Sequence, residues 1–398
     1  MRISTVSIYE QSMGSMNRQE RDFLKVGQQI ASGRRVVNPS DDPQAASRAV
    51  QVSQALAVIG QYADARVGGR NALSQEESIL NGVSDAIASA KTLMVQAASD
   101  TLSDADRTSL ASELRGIYET VIGQANATDG NGSYLFGGYR DGSEPFVRAA
   151  DGSVSYVGDN NSRAVRIDAS RLMPVADNGI AVFQSVTAGA GYVAEADAAN
   201  GGSVTFKGPQ VVDESDPGYG GAFGITFSVA GGVATYSVNG GPAQPYEEGR
   251  AIHFGGLSLT LEGSPADGDR IAMDRAQNMN TDLFRTFEKA LAVLEQPAGT
   301  DTEKAARKNT LSTAMREFDN SLDNVLTTRA SVGARLNELD VVDSVAGNQT
   351  LNYKQTLSDL VDLDYVEAIA EYSLRQVGLK AAQKAFVDIK GMTLFDRL

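Results

Sequence analysis

Asn38-Pro39-Ser40-Asp41-Asp42-Pro43 divides the N-terminal part of this chain into two helical segments. A residue that precedes proline is pushed out of the α region, so Asn38 and Asp42 both stand outside helices. Asp42 is then placed as an N-cap with Pro43 at the first helical position, and Asp41 lies near the positive helix end. One helix stops before this turn and another starts in it.

Upstream, Val6, Tyr9, Met13, Met16, Phe23 and Ile30 fall on alternating three- and four-residue steps, with Glu20 and Gly27 filling the remaining slots, which lays one thin apolar stripe along a helix. Gly14, Gly27 and Gly33 each lower helix propensity by roughly 1 kcal/mol relative to alanine, so this helix needs a partner. Downstream, the rhythm runs through Val52, Leu56, Ile59, Ala63, Leu73, Leu80, Ile87 and Met94, predicting one long helix. Ser103 with Asp106 forms a variant of the capping box and starts a third helix through Leu110, Leu114, Ile117, Val121 and Ala125. Asp129-Gly130-Asn131-Gly132 stops it, and Ser133–Phe136 reads as a first strand.

The C-terminal flank mirrors this. Leu283, Phe287, Leu291 and Leu294 predict a short helix ending before Pro297, and a long helix starts near Asp301 and runs through Leu311, Phe318, Leu322, Val325, Val332, Leu336, Leu339 and Val342. A last stripe carries Leu357, Leu360, Leu363, Val366, Ala370, Leu374, Val377 and Ala381, and the chain ends on Phe386, Ile389, Leu394, Phe395 and Leu398.

Between the flanks, residues 141–275 hold 22 of the 40 glycines and 7 of the 10 prolines, with 17 acidic against 8 basic residues. Short alternating stretches at 153–157, 164–167, 203–206, 224–229, 234–238 and 257–261 are bounded by turn residues and read as antiparallel strands. The fold class is therefore mainly α with a β insert: a long antiparallel helical bundle or coiled coil built from both termini, around a central antiparallel β domain. The expected division is 1–42 with 355–398 as a terminal helical domain, 43–138 with 276–354 as a bundle, and 139–275 as an outward-facing insert with its own core.

Composition narrows the chemistry. The 398 residues carry 35 basic and 50 acidic side chains, a net charge of −15, which argues against a nucleic-acid clamp. There is no cysteine and a single histidine, His253, so thiolate zinc sites, cysteine nucleophiles and two-histidine motifs are excluded. No apolar run approaches the roughly 18 residues needed to cross a bilayer, and Met1–Glu10 lacks the pattern of a cleaved signal peptide. His253 reads as a strand-end imidazole. Gly189-Ala190-Gly191-Tyr192-Val193-Ala194 satisfies a relaxed dinucleotide fingerprint, but Asp197, Asn200, Gly201 and Gly202 follow where a helix should begin. Asp129, Asn131 and Ser133 mimic the start of a calcium loop, with Tyr134 at the glycine position and Arg140 at the glutamate position. Asp213-Glu214-Ser215-Asp216 reads as a solvated acidic loop, and Arg34-Arg35 as a small basic spot either free or facing a neighbouring subunit. No catalytic residue, cofactor or metal site is expected.

Arg2–Tyr9, Ile30–Pro43, Asn131-Gly132-Ser133-Tyr134-Leu135-Phe136-Gly137-Gly138, Arg329-Ala330-Ser331-Val332-Gly333-Ala334-Arg335-Leu336 and the helix 366–386 together resemble the bacterial flagellin superfamily, on the side of its junction-forming members. Ser40 and Gln44 depart from residues common in relatives, which bears on the packing of the turn alone. The resemblance implies a structural subunit of the bacterial flagellum at the hook–filament junction. It also implies export by the flagellar type III apparatus without a cleaved signal, and paired terminal helices that line a tubular core. Implied partners are further copies of the chain in a ring or tube, a neighbouring hook-associated protein, flagellin and an export chaperone, with no nucleic acid and no membrane insertion. Filament flagellin itself, or a secreted adhesin or enzyme acting through the insert, are the alternatives. The stripes on the two terminal helices, Val6, Tyr9, Met13, Met16, Phe23 and Ile30 with Leu363, Val366, Leu374 and Val377, are the expected subunit interface, and Asn38, Pro39, Asp41, Asp42 and Pro43 the structural turn.

Overall fold

The computed structural model describes residues 5–99 and 101–391, apart from the side chains of residues 5, 6, 8 and 389–391. Of the expected apolar end, the Ile389 side chain and residues Leu394, Phe395 and Leu398 therefore lie outside what is described. The chain divides into two compact units, residues 1–64 with 341–398, and residues 65–340.

In the first unit, α1 (Thr5–Ser32) pairs with α7 (Tyr365–Gly391). The start of α2 (Pro43–Ala97) and the end of α6 (Asp301–Val361) complete it. The second unit holds the rest of these two long helices together with α3 (Asp104–Ala125), α5 (Leu283–Glu295) and every strand. Seven-residue spacing brings Leu73, Leu80, Ile87 and Met94 of α2 to one fully buried face, with Leu114 and Val121 of α3, Phe284 and Phe287 of α5, and Phe318, Val325 and Val332 of α6 also buried. Helix starts follow local chemistry. The Asp106 N–H donates to Ser103 Oγ at 3.2 Å while Asp106 Oδ2 accepts the Ser103 N–H at 3.0 Å, and Asp282 caps α5 by accepting the N–H of Phe284 and Arg285.

The β region begins with two hairpins, β1–β2 (Phe146–Arg148, Val154–Tyr156) and β3–β4 (Ala164–Arg166, Leu172–Pro174), followed by the short α4 (Gly179–Phe183). Two antiparallel sheets follow. One is ordered β5 (Tyr192–Ala196), β12 (Arg270–Arg275), β7 (Phe223–Ala230), β8 (Val233–Val238) and β9 (Gln244–Pro245). The other is ordered β10 (Ala251–Phe254), β11 (Leu257–Glu262) and β6 (Thr205–Val211). Ile225, Phe227, Leu257, Leu259, Leu261, Ile271 and Met273 form their shared core. Gly231 and Gly232, at φ 60° and 82°, supply the two left-handed positions of the tight β7–β8 turn.

Three sequence expectations change. Ser133–Phe136 is not a strand: Tyr134 makes a single bridge to Thr128, while Leu135 and Phe136 are buried. The C-terminal stripe is interrupted at 362–364 rather than starting afresh near 355, because Asp364 Oδ1 accepts the N–H of Val366 and Glu367 and caps a new helix there. The insert is not walled off at Gly138 either. Phe146 and Phe183 lie 4.8 and 5.8 Å from Phe284 of α5, ring centroid to centroid. Asn309 of α6 accepts the Phe206 N–H at 3.1 Å, and Thr313 donates to the Ala194 carbonyl at 2.7 Å. Residues 139–275 thus share core and hydrogen bonds with the helices.

Candidate assembly surface

The terminal helices define the site. Tyr9 meets Phe386 at 5.2 Å between ring centroids and Phe23 meets Tyr372 at 4.7 Å, so α1 and α7 run antiparallel in one register. In that register Met16 stands level with Leu379 and Ile30 with Tyr365. Seven-residue spacing of Tyr9, Met16, Phe23 and Ile30 is matched by Tyr365, Tyr372, Leu379 and Phe386, the pattern of a two-stranded seam. Gly27 leaves room for the Tyr372 ring, whose Cε2 would lie 3.6 Å from a Cβ, and Arg375 Nη1 pairs with Asp22 at 3.3 Å. Val26 and Ala368 are buried in the same unit.

The α7 residues expected at the subunit interface lie off this intramolecular seam. Val366, Leu374 and Val377 are 82%, 71% and 64% exposed, and Ile369 joins them. Leu363 is half-buried in the connection before α7, where its N–H donates to the Gly33 carbonyl at 3.1 Å. On α1, Met16, Phe23 and Ile30 are half-buried, Tyr9 and Met13 remain exposed, and the Val6 side chain lies outside the described residues. Sequence reasoning missed Tyr372, Phe386, Arg375 and Ala368. The aromatic spacing Tyr365, Tyr372, Phe386 was the signal for them. Helix α7 therefore has two apolar faces, one against α1 and one open, and a helix apolar on both sides is normally enclosed in a larger body.

The turn fixes how α1 enters α2. Asp41 Oδ2 accepts the Asn38 N–H at 2.9 Å, its Oδ1 pairs with Lys25 at 3.1 Å, and the Asp41 N–H donates back to the Asn38 carbonyl. Asp42 Oδ1 accepts the Ala45 N–H at 3.0 Å, the N-cap that Pro43 predicted. The Asn38 N–H, then Lys25, holds the Asp41 carboxyl below its usual range, and the Ala45 N–H, then Arg35, does the same for Asp42. Arg35 is not a free basic spot. It donates to the Leu360 carbonyl at 2.7 Å and to Asp42 at 3.3 Å, while its N–H bonds the Val361 carbonyl. Gly33, at φ 69°, provides the left-handed step, and a Cβ there would sit 2.9 Å from the Tyr365 hydroxyl.

The other candidate groups serve turns and strands. His253 is an exposed residue of β10 opposite Ser258. Asp129 Oδ1 accepts the N–H of Asn131 and Ser133, and Asp213 Oδ1 accepts the Ser215 N–H. After Gly189 the chain enters strand β5 at Tyr192. Among the described residues no three His, Cys, Asp or Glu side chains group as a metal site, and no helix is long and apolar enough to cross a membrane.

Paired terminal helices, a proline-bracketed turn into a long second helix and a β insert between helical flanks define a flagellin-type subunit, and residues 3–141 match the family model of the bacterial flagellin N-terminal helical region. Flagellar hook-associated protein 3 of Escherichia coli is 34% identical over 396 residues, 99% of this chain and 99% of that protein. The chain belongs to the flagellar hook-associated protein 3 family. The crystal structure of Xanthomonas campestris FlgL is similar with a TM-score of 0.68 at 29% identity, over 77% of this chain and 99% of that one. The flagellar junction protein FlgL from Legionella pneumophila gives 0.67 at 25% identity, over 79% and 100%.

Proposed function

We propose that this chain is a structural subunit of the hook–filament junction of the bacterial flagellum. Copies of it assemble into a ring or short tube that joins a neighbouring hook-associated protein on the hook side to the flagellin filament. The single observation that carries this reading is the second apolar face of α7, Val366, Ile369, Leu374 and Val377, left open after α1 has covered the first. Copies of the same helix pair offer a matching apolar surface, and its burial drives association. Supporting the junction over the filament is 34% identity over nearly full length to a hook-associated protein. Export proceeds through the flagellar type III apparatus, with a dedicated chaperone holding the terminal helices and no signal removed.

Deleting the gene and following flagellin tests the reading. A cell without its junction sheds flagellin monomers into the medium, and immunogold labelling of this subunit marks a short zone at the hook's distal end in the parent. Label along the whole filament would make the chain a filament subunit instead.

A further inference from the structure

Both arginines of Arg329-Ala330-Ser331-Val332-Gly333-Ala334-Arg335 are committed to carboxylates. Arg329 donates through Nε and Nη2 to Glu77 Oε1 at 3.1 and 2.8 Å. Arg335 pairs with Asp177, in the segment between β4 and α4, and its Nη1 donates to the Pro174 carbonyl at 3.2 Å. The Asp177 N–H in turn donates to Glu76 Oε1 of α2 at 3.1 Å. Glu76 is 1% exposed, and its Oε2 is buried with no hydrogen-bond partner. An ionised carboxylate presents about four acceptor positions. Here it meets one N–H donor, and the neighbouring guanidinium already serves Asp177. A buried charge so poorly compensated is far costlier than a neutral acid.

The surrounding chain rests on this point. Arg66 Nη1 donates to the Ile167 carbonyl at 2.9 Å. A Cβ at Gly69 would stand 3.0 Å from Val175 Cγ1 and 3.5 Å from Val165 Cγ2, so the β3–β4 hairpin lies directly on α2. We propose that Glu76 is kept as the neutral acid and acts as a proton latch: protonated, it seats residues 164–178 on α2, and its ionisation sets two carboxylates against one guanidinium and loosens that segment. Burial first, and then the Asp177 carboxylate, push Glu76 up to about 8, with the Asp177 N–H and Arg335 opposing. The charged groups facing it are Asp177 from the β4–α4 segment and Arg335 from α6, while Glu77 on its own helix is turned to Arg329. The folded value lies above the ordinary 4.5, so the stabilisation is complete below that pH and is lost as pH rises toward about 8.

The experiment compares the melting temperature of the full-length protein and of E76Q between about pH 6 and about pH 9, together with amide protection factors over residues 164–178. The wild-type protein is expected to lose several degrees and to lose protection in that segment as pH rises, whereas E76Q, which keeps the shape of the neutral acid, stays level. Parallel curves for the two proteins would overturn the latch. Should E76Q not fold, carboxyl ¹³C labelling of the wild-type protein decides: a Glu76 midpoint in the alkaline range supports the latch and an acidic one overturns it.

Discussion

Phe23 and Tyr372 stack at a tilt of 32° with ring centroids 4.7 Å apart, and this contact sets which face of α7 remains open. With Tyr372 turned to α1, Val366, Leu374 and Val377 point to solvent. Aromatic pairs contribute about 0.5–1.5 kcal/mol beyond the area they bury. Tyr372→Ala should therefore lower amide protection in both α1 and α7, while leaving the buried helices of residues 65–340 unchanged. Equal loss throughout would mean that the two units unfold together.

Gly33 joins α1 to the Leu363 connection in a conformation that L-residues pay about 1–2 kcal/mol to adopt. Gly33→Ala should lower the stability read from urea unfolding by about that amount, the exposed Tyr365 hydroxyl 2.9 Å from its Cβ being able to swing aside. Gly33→Asn, which tolerates the left-handed backbone better, should cost less than Gly33→Ala.

Asp42 caps a helix of 55 residues, so Asp42→Ala should lower stability and Asp42→Asn, which can still accept the Ala45 N–H, should restore much of it. Asp41 and Asp42 are both held below the ordinary 3.8. Their contribution is present above that pH and is lost as pH falls through the folded values. The double Asn variant should consequently show a shallower loss of stability between about pH 4 and about pH 2, read by circular dichroism.

Excising the insert by joining Gly138 to Arg275 removes Phe146 and Phe183 from Phe284, which is fully buried. The excised protein should melt well below the parent, and Phe284→Ala alone should cost about 3–5 kcal/mol. Melting at the parental temperature would mean that the helices keep a core of their own.

Local signals made most of this fold legible. Pro43 and the Ser103–Asp106 box announce their helices because the capping chemistry lies within three residues of each start. The break at 362–364 carries a local signal as well, the Asp364 cap, but an apolar stripe that runs on either side of it masked that signal. Its other partners, Gly33 and Arg35, are more than three hundred residues away in sequence. Strands β1 (Phe146-Val147-Arg148) and β4 (Leu172-Met173-Pro174) were missed, although β2 and β3 are equally short, because neither alternates apolar with polar residues. The assembly surface was half legible. Periodicity picked out α1's stripe and the open face of α7 as a subunit interface, but it missed that α7 carries a second, aromatic face, Tyr372 and Phe386, packed on α1.

Leu374→Asp tests the central claim most directly. Leu374 is 71% exposed, so the charge costs the isolated subunit little, whereas burial in an assembled seam leaves an unpaired carboxylate. The variant should melt with the wild-type protein and be exported normally, yet fail to restore junctions, with flagellin shed into the medium. Ala368→Asp, at a position 5% exposed, should by contrast melt the subunit itself. If Leu374→Asp assembles and supports motility, or if it lowers the melting temperature of the free subunit, the open face of α7 is not the assembly surface.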